Sequence, residues 1–542
     1  MISTSRLTLL LLLAVLLVPL ATAGDLHTGA SFERVSNLPM GSVSGVGSAW
    51  ADYDRDGYPD LFLGTTVGNP PQSGANRLYH NDRNGTFSVI TSNLFPNSGG
   101  VIWAGWADYN NDGWLDLYAG KIGNDLLYQN NGNGTFTAIT NSVSSDGGGT
   151  VGCAWGDYDN DGLIDLISIN EGQANSLFHN EGNSFRKVAN SILTNSPFSQ
   201  GAEWGDYDND GRVDLFLANY QNNRNLLYHN EGAGSFSRVT NGLLVTEAGK
   251  FSGGAWGDYD NDGLLDLFVR TYGPRNALYH NNGDGTFGKI TPGALASDAS
   301  HSYGAVWGDY DNDGWLDLFV SNGSTVKRDA LYRNNSDGSF TRVTDASLPS
   351  DTGEGRSAAW VDYNRDGFLD LWVANTFNTL NTLYRNSGNS NRWLRVQLDG
   401  RSSNRSAFGA KVRLRATIGG TNFWQLRQIG GGDMEAHFGL GDALIAELVR
   451  VEWPSGLIQE FQNVASSQFL TIAEPSVLSM SLTESGESHI RFQAVHNVLY
   501  DVQSTVDFGT WSSFVVISNA SNSVSIPVSL TPGKQFFRVR EN

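Results

Sequence analysis

"WGDYDNDGLLDLFV", residues 256–269, sets four aspartates (Asp258, Asp260, Asp262 and Asp266) in front of a strand-like apolar run. Carboxylates held ~4 Å apart repel by roughly 4 kcal/mol per pair at an effective dielectric of ~20. Such a stretch calls for a counter-charge, and the chain repeats it seven times. The cluster begins at Asp52, Asp108, Asp157, Asp206, Asp258, Asp309 and Asp362, at spacings of 56, 49, 49, 52, 51 and 53 residues. A second phrase follows each of the first six clusters, as in "NALYHNNGDGTFGKIT" (276–291). Each of these periods thus offers four short strands: "GGAWGDY", "LDLFVR", "ALYHN", and "TFGKIT" beyond an Asn/Gly hairpin turn. Four strands per period, seven times over, predict an all-β fold, a seven-bladed β-propeller. The seventh period has its third strand, "TLYRN" (382–386), but no fourth. "ASFERVS" (30–36) copies the fourth-strand phrase "GSFSRVT" (234–240). The N-terminal segment is therefore expected to complete the last blade and remove the open seam of a linear array.

Counted from the first aspartate, position 3 is Asp54, Asn110, Asp159, Asp208, Asp260, Asp311 or Asn364. Position 5 is Asp56, Asp112, Asp161, Asp210, Asp262, Asp313 or Asp366, and position 9 is Asp60, Asp116, Asp165, Asp214, Asp266, Asp317 or Asp370. A glycine at position 6 permits the sharp bend that turns the odd positions toward one centre. Alternating oxygen donors around such a bend are how a hard cation is wrapped, and the first half matches the EF-hand ligand pattern. The Glu at position 12 and the flanking helices of that motif are missing. The loop joins two strands, and the position-9 aspartate closes the cage early. Six or more oxygens favour Ca²⁺ over Zn²⁺, which takes N and S ligands. An ion-free Asx turn would need one Asp or Asn, not four. Up to seven structural Ca²⁺ ions are expected, which would bring the formal charge of −21 near −7.

Asp and Glu number 56 against 35 Lys and Arg, so no basic face for nucleic acid is expected. Cys153 stands alone, which excludes an internal disulfide, and it reads as a small buried strand residue. Residues 1–23, with Arg6, the apolar run 7–20 and Ala21-Thr22-Ala23, read as a secretory signal peptide. No later stretch approaches the ~20 apolar residues of a membrane helix. The mature chain is expected to be exported, with cell surface, periplasm and extracellular space left open.

"WGDYDNDGLLDLFV" with "NALYHNNGDGTF" resembles the FG-GAP/VCBS repeats of integrin α-subunit propellers and of many bacterial secreted proteins, over about residues 27–390. The resemblance implies Ca²⁺ in the loops of one propeller face and ligands on the opposite face, on loops before strand one and after strand two. From "NRWLRVQL" onward the repeat stops. "GAKVRL", "HFGLG", "VEWPSG" and "QFLTI" resemble the ASPIC/UnbV domain, which follows such propellers in bacterial proteins and in cartilage acidic protein. Between "RQIGGG" and "AHFGLG" only Asp433, Met434 and Glu435 remain where that family carries a longer segment. The chain is thus read as a propeller (24–390), an ASPIC/UnbV-like β domain (391–474) and a small C-terminal β-sandwich-like module (475–542).

Residues that break the repeat are the candidates for a ligand face: Glu203, Tyr220, Arg270, Tyr272, His301 and Arg356, with Trp103, Arg224, Lys250, Lys327 and Arg328 beside them. His80, His179, His229 and His280 recur in one strand-three slot and read as scaffold. "NGT" at Asn84 and Asn133 fits a glycosylation acceptor but falls in the hairpin turn, where turn chemistry explains it. No P-loop, G-x-S-x-G or dinucleotide fingerprint occurs. The favoured function is adhesion or recognition of an extracellular protein or glycan, with no assigned catalytic residue. The alternative is a polysaccharide lyase or hydrolase, for which only His301, Tyr272, Arg270 and Glu203 offer suitable groups. Convergence of those side chains within hydrogen-bond reach would favour the enzyme; spreading over a rim would favour binding.

Overall fold

A computed structural model describes residues 31–541, except 37, 43–44, 66–75, 91–99, 141–142, 183, 190, 274, 292, 294, 296–300, 324–327, 345–353, 377–378, 433, 476–478, 483–487, 494–498, 506–511, 519–522 and 529–535. The expected signal peptide, Lys327 and Asp433 lie outside the described residues. The chain is all-β. Among the described residues, seven four-stranded antiparallel sheets occupy Phe32 to Asn386. One comprises Phe251–Gly257, Asp266–Thr271, Ala277–Asn281 and Phe287–Lys289, paired in that order. The last comprises Glu354–Val361, Asp370–Thr376, Thr382–Asn386 and, at its outer edge, Phe32–Arg34 from the N-terminal region, with Phe32 opposite Asn386. The first strand of each sheet packs on the first strand of the next, and Glu354–Val361 packs on Gly45–Ala51. These first strands border a central channel.

The second strands are buried throughout, as in Asp266–Thr271, because each is covered by the sheets on either side. That is why their pattern is a continuous apolar run rather than an alternation. A tryptophan staples neighbouring sheets. Trp307 Nε1 donates to the Ala255 carbonyl at 3.1 Å, and its ring stacks on Tyr259 at 6.3 Å between centroids. The glycine of the "WGDY" phrase makes room for it: a Cβ on Gly257 would stand 2.7 Å from Trp307 Cδ1.

A second link runs all the way around. The asparagine closing each third strand donates its backbone N–H to the position-9 aspartate of its own sheet, at 2.7–2.8 Å. Its side-chain Nδ2 donates to a tyrosine carbonyl in the preceding sheet's loop, at 2.7–2.9 Å: Asn130 to Tyr53, Asn180 to Tyr109, Asn230 to Tyr158, Asn281 to Tyr207, Asn334 to Tyr259 and Asn386 to Tyr310. Asn81 in the first sheet closes the circuit by donating to Tyr363 beside the last at 2.8 Å.

Beyond Asn386 two further sheets follow. Arg392–Asp399 lies between Glu435–Gly441 (antiparallel) and Gln468–Ala473 (parallel). Lys411–Ile418 lies between Thr421–Gln428 and Ile445–Glu452, with Ile458–Ala465 at the edge. Their apolar core, including Leu394, Phe408, Val412 and Phe438, is continuous with Tyr109, Trp155 and Phe185 of the repeat. Among the described residues beyond Ala473 lie two three-stranded sheets, one centred on Ser488–Gln493 and the other on Leu499–Thr505. Among the described residues no helix is long and apolar enough to cross a membrane.

Asn281→Ala leaves the buried Tyr207 and Leu265 carbonyls without their donor. The expected loss is about 1–3 kcal/mol, read as a fall in the denaturation midpoint.

Candidate functional site

The repeat presents two chemically distinct ends. At one end the turns between first and second strands gather their carboxylates. In the loop from Asp258, Gly263 N donates to Asp258 Oδ2 at 3.1 Å and Leu264 N to Asp262 Oδ1 at 2.9 Å. Asp266 accepts from Asn281 N at 2.8 Å and from Tyr259 N at 3.3 Å. Position 6 has φ of +88° at Gly263, a left-handed conformation that suits glycine. Several carboxylate oxygens are buried and unpaired: Asp60 Oδ2, Asp159 Oδ1, Asp258 Oδ1 and Asp260 Oδ1. Donor atoms of Asp52, Asp54 and Asp60 lie within 4.8 Å of one another. Burial, then the neighbouring carboxylates, push Asp60, Asp214 and Asp266 up to about 9, although backbone hydrogen bonds from Asn81, Asn230 and Asn281 pull the other way. Asp258 is held at about 8 by burial and Asp262, with Arg427 opposing. Unpaired buried oxygens and mutual repulsion are what a site for a hard cation looks like before its ion is counted.

The strand-three histidines do more than fill a slot. His80 Nδ1 stands 3.2 Å from both Asp54 Oδ2 and Asp60 Oδ1, and His280 Nδ1 3.1 Å from both Asp260 Oδ2 and Asp266 Oδ1. His179 meets Asp165 at 3.2 Å, and His229 meets Asp208 at 2.9 Å. Reading them as scaffold missed this, because the hairpin that returns strand three to the loop brings together residues about twenty positions apart.

The second set of sheets is seated on this same end. Lys411 Nζ reaches Asp206 Oδ2 at 2.5 Å and Arg395 Nη1 reaches Asp362 Oδ2 at 3.3 Å. Gly439 N donates to Asp309 Oδ2 at 3.0 Å, and Asn404 Nδ2 to Asp157 Oδ2 at 3.4 Å. Ser406 Oγ accepts from Asp108 N at 2.9 Å. Arg365 and Arg395 both pair with Glu435, at 3.0 and 2.7 Å. Asp52, by contrast, takes its hydrogen bonds from its own loop.

At the other end the six ligand-face candidates come together. Glu203, Tyr220, Arg270, Tyr272, His301 and Arg356 line one cavity of about 370 Å³, with Trp103 beside them. Arg270 Nη2 lies 3.7 Å from Glu203 Oε1, and Arg270 also donates to the Tyr303 carbonyl. The Tyr272 ring lies 5.3 Å from Tyr220, 5.6 Å from His301 and 4.8 Å from Tyr303. The Arg356 guanidinium covers the Tyr303 ring at 3.8 Å. Glu203 is 32% exposed to channel solvent, yet it is walled in by protein; burial raises it to about 7 against the attraction of Arg270. Arg224 borders a different cavity, while Lys250 and Arg328 are exposed away from this one. Tyr303 and Glu171, which sequence reasoning passed over, also line it. Tyr303 stands four residues before Trp307, the slot Arg356 holds relative to Trp360, so the signal was present.

The FG-GAP-like repeat family matches residues 52–119, 118–168, 157–217, 206–269, 258–320 and 309–373. The family described as ASPIC and UnbV matches residues 400–479. Human Cartilage acidic protein 1 is 30% identical over 275 residues, 47% of this chain and 40% of that protein. Its Xenopus tropicalis counterpart is 29% identical over 260 residues, 44% of this chain and 39% of that protein. The chain thus spans about two fifths of the length of the curated relatives it matches. Among solved structures, an Agrocybe aegerita lectin is 16% identical, covering 64% of this chain and 86% of its own, with a TM-score of 0.40. YCF48 from Cyanidioschyzon merolae is 10% identical, covering 65% and 98%, with a TM-score of 0.41.

Two outcomes are expected. Position-9 carboxylates raised above their unfolded value of about 3.9 keep protons that the unfolded chain releases, so this contribution is complete below about pH 4 and is lost as pH rises toward about 9. In chelating buffer the melting temperature should therefore fall from about pH 5 to about pH 8.5. Arg270→Ala, which strands Glu203, should destabilise by up to about 3 kcal/mol, discounted for the solvent Glu203 still meets. Glu203→Ala combined with Arg270→Ala should recover most of it, since both are small in most other repeats.

Proposed function

The chain belongs to the FG-GAP-like repeat family, fused here to an ASPIC and UnbV domain, and we propose that it acts as an exported, calcium-stabilised seven-bladed β-propeller that recognises an extracellular glycan or protein. One observation carries the reading. Seven side chains that break the repeat, Trp103, Glu203, Tyr220, Arg270, Tyr272, His301 and Arg356, converge on the open end of the channel, whereas the carboxylate end is covered by the second set of sheets. Conserving seven acidic loops for architecture leaves the opposite mouth as the place where chemistry is free to differ from blade to blade.

The cations belong to this proposal. The residues fit them: the carboxylates at positions 1, 3, 5 and 9, with the asparagines at two of the position-3 sites, would hold each ion, and Ca²⁺ would supply charge neutralisation and a cross-link between the first two strands of each blade. Lys411 and Arg395 already bring positive charge to Asp206 and Asp362, so those two loops are expected to bind more weakly than the loop at Asp52. Export rests on residues 1–23 as read from the sequence.

A second reading has one observation in its favour. The convergence of Glu203, Arg270, Tyr272 and His301 in one cavity is what a polysaccharide lyase or hydrolase would require, and a carboxyl raised to about 7 suits a proton donor. A glycan array with and without calcium, followed by release of reducing ends from each polysaccharide bound, separates the two. Binding without release supports recognition; turnover abolished by Glu203→Gln supports the enzyme; binding unaltered by substitutions at the mouth contradicts both as readings of this mouth.

Chelation with EDTA should lower the melting temperature and raise protease sensitivity, and calcium should reverse both. Each site filled at a hundredfold its Kd adds about 2.7 kcal/mol.

A further inference from the structure

We propose that the mouth is a blind well that takes the terminal sugar of a glycan end-on, an inference that rests on the recognition reading and deepens it. Among the described residues, the second set of sheets stands across the far end of the channel. Behind the mouth lies an inner chamber of about 350 Å³, and Val46, Trp103, Cys153, Glu203, Arg270 and Arg356 border both spaces. Those six residues form a waist between them. The far side of the chamber is floored by Gly430, Gly431, Gly432, Met434 and Glu435 of the second set of sheets. A polymer threading the ring would have to pass these residues, so entry of a chain by its end is the arrangement the well favours.

The waist is charged where the repeat is small. Glu203 occupies a slot held elsewhere by Ala49, Gly105, Ala154, Ala255, Val306 and Ala359. Arg270 occupies one held by Gly64, Gly120, Ile169, Ala218, Ser321 and Ala374. Gly253 makes way for it, since a Cβ there would collide with the guanidinium. Arg270 is 6% exposed and its Nε has no hydrogen-bond partner. A buried, unpaired donor is costly unless something outside the chain completes it.

The chemistry of the mouth selects the class. Two carboxyls, Glu171 and Glu203, share the cavity with two guanidiniums, Arg270 and Arg356, and burial leaves Glu203 only partly ionised near neutral pH, so no strong excess of either sign selects an anion or a cation. Two carboxylates and two guanidiniums instead offer acceptors and donors to a hydroxyl-rich ligand. The rings of Tyr220, Tyr272 and His301, set edge-on or tilted to one another, supply aromatic surface against which the C–H face of a sugar ring can pack, while Tyr303 is covered by Arg356. The volume lies at the lower end of ligand pockets, ~300–1,000 Å³, which suits one residue with its neighbour rather than a long segment.

The test uses the full chain in roughly 1 mM calcium. It is applied to oligosaccharides immobilised by their reducing ends, in series that share a terminal sugar but differ in length, with cyclic glucans as members that have no end. Binding should follow the terminal sugar, vary by no more than about threefold from di- to hexasaccharide, and be competed by the methyl glycoside of that sugar. Glu203→Ala/Arg270→Ala, which restores small residues at both slots and should melt like the parent, should abolish it. Affinity that climbs about tenfold or more with length, binding to cyclic glucans, or binding to no glycan would overturn the end-on well. A double variant that binds the same glycans as well as the parent overturns the well while leaving recognition standing at another site; release of reducing ends from the bound glycans, abolished by Glu203→Gln, would overturn the recognition reading itself.

Discussion

One asparagine per sheet holds the ring together. Each ends a third strand, orders the position-9 aspartate of its own loop through its backbone and reaches the preceding loop through its side chain. The loops, the sheets and the order of the sheets thus share one hydrogen-bonded circuit, closed between Asn81 and Tyr363. A buried amide in such a circuit is worth more for what its loss leaves unpaired than for its net gain, so the network specifies geometry more than it adds stability. The aspartate it orders is itself strongly perturbed: burial, reinforced by the neighbouring carboxylates, pushes Asp266 up to about 9. The scaffold holds its carboxylates where they repel, and the cations we propose relieve that repulsion.

The second set of sheets changes what the acidic end can do. Lysine, arginine, asparagine and backbone donors reach the position-1 aspartates of four of the seven loops, and apolar residues merge with the core of the second and third repeats. It behaves as a cap on the loops and a floor to the channel, not as a bead on a linker. That leaves the other mouth as the place where we propose recognition occurs. There the charged side chains of Glu203 and Arg270 interrupt a small-residue lining at a cost in desolvation that packing alone does not repay.

Much of this architecture could be read from periodicity. The aspartate clusters, the turn glycines and the strand phrases are local and recur, so sheet order and the outer strand at Phe32 follow from counting. The repeat-breaking residues were legible as exceptions, and seven of them, Trp103, Glu203, Tyr220, Arg270, Tyr272, His301 and Arg356, meet in one cavity, whereas Arg224, Lys250 and Arg328 do not. What could not be read are contacts with no local signal. The asparagine circuit spans about seventy residues per bond. The histidines meet their aspartates only once a hairpin folds back. The cap was hidden because Arg395, Lys411 and Arg427 read as ordinary solvated strand positions until the acidic loops are placed opposite them. Gly430 to Gly432 read as a shortened family loop, and their position at the foot of the channel depends on that docking.

The central claim is that divalent ions sit among the seven carboxylate loops and allow the ring to close. Native mass spectrometry of the EDTA-stripped mature protein, titrated with calcium, tests it most directly. Stepwise uptake of several ions, up to seven, is expected, with the compact charge-state distribution growing as they bind. A stripped protein that is equally compact and takes up no calcium at millimolar concentration would contradict it.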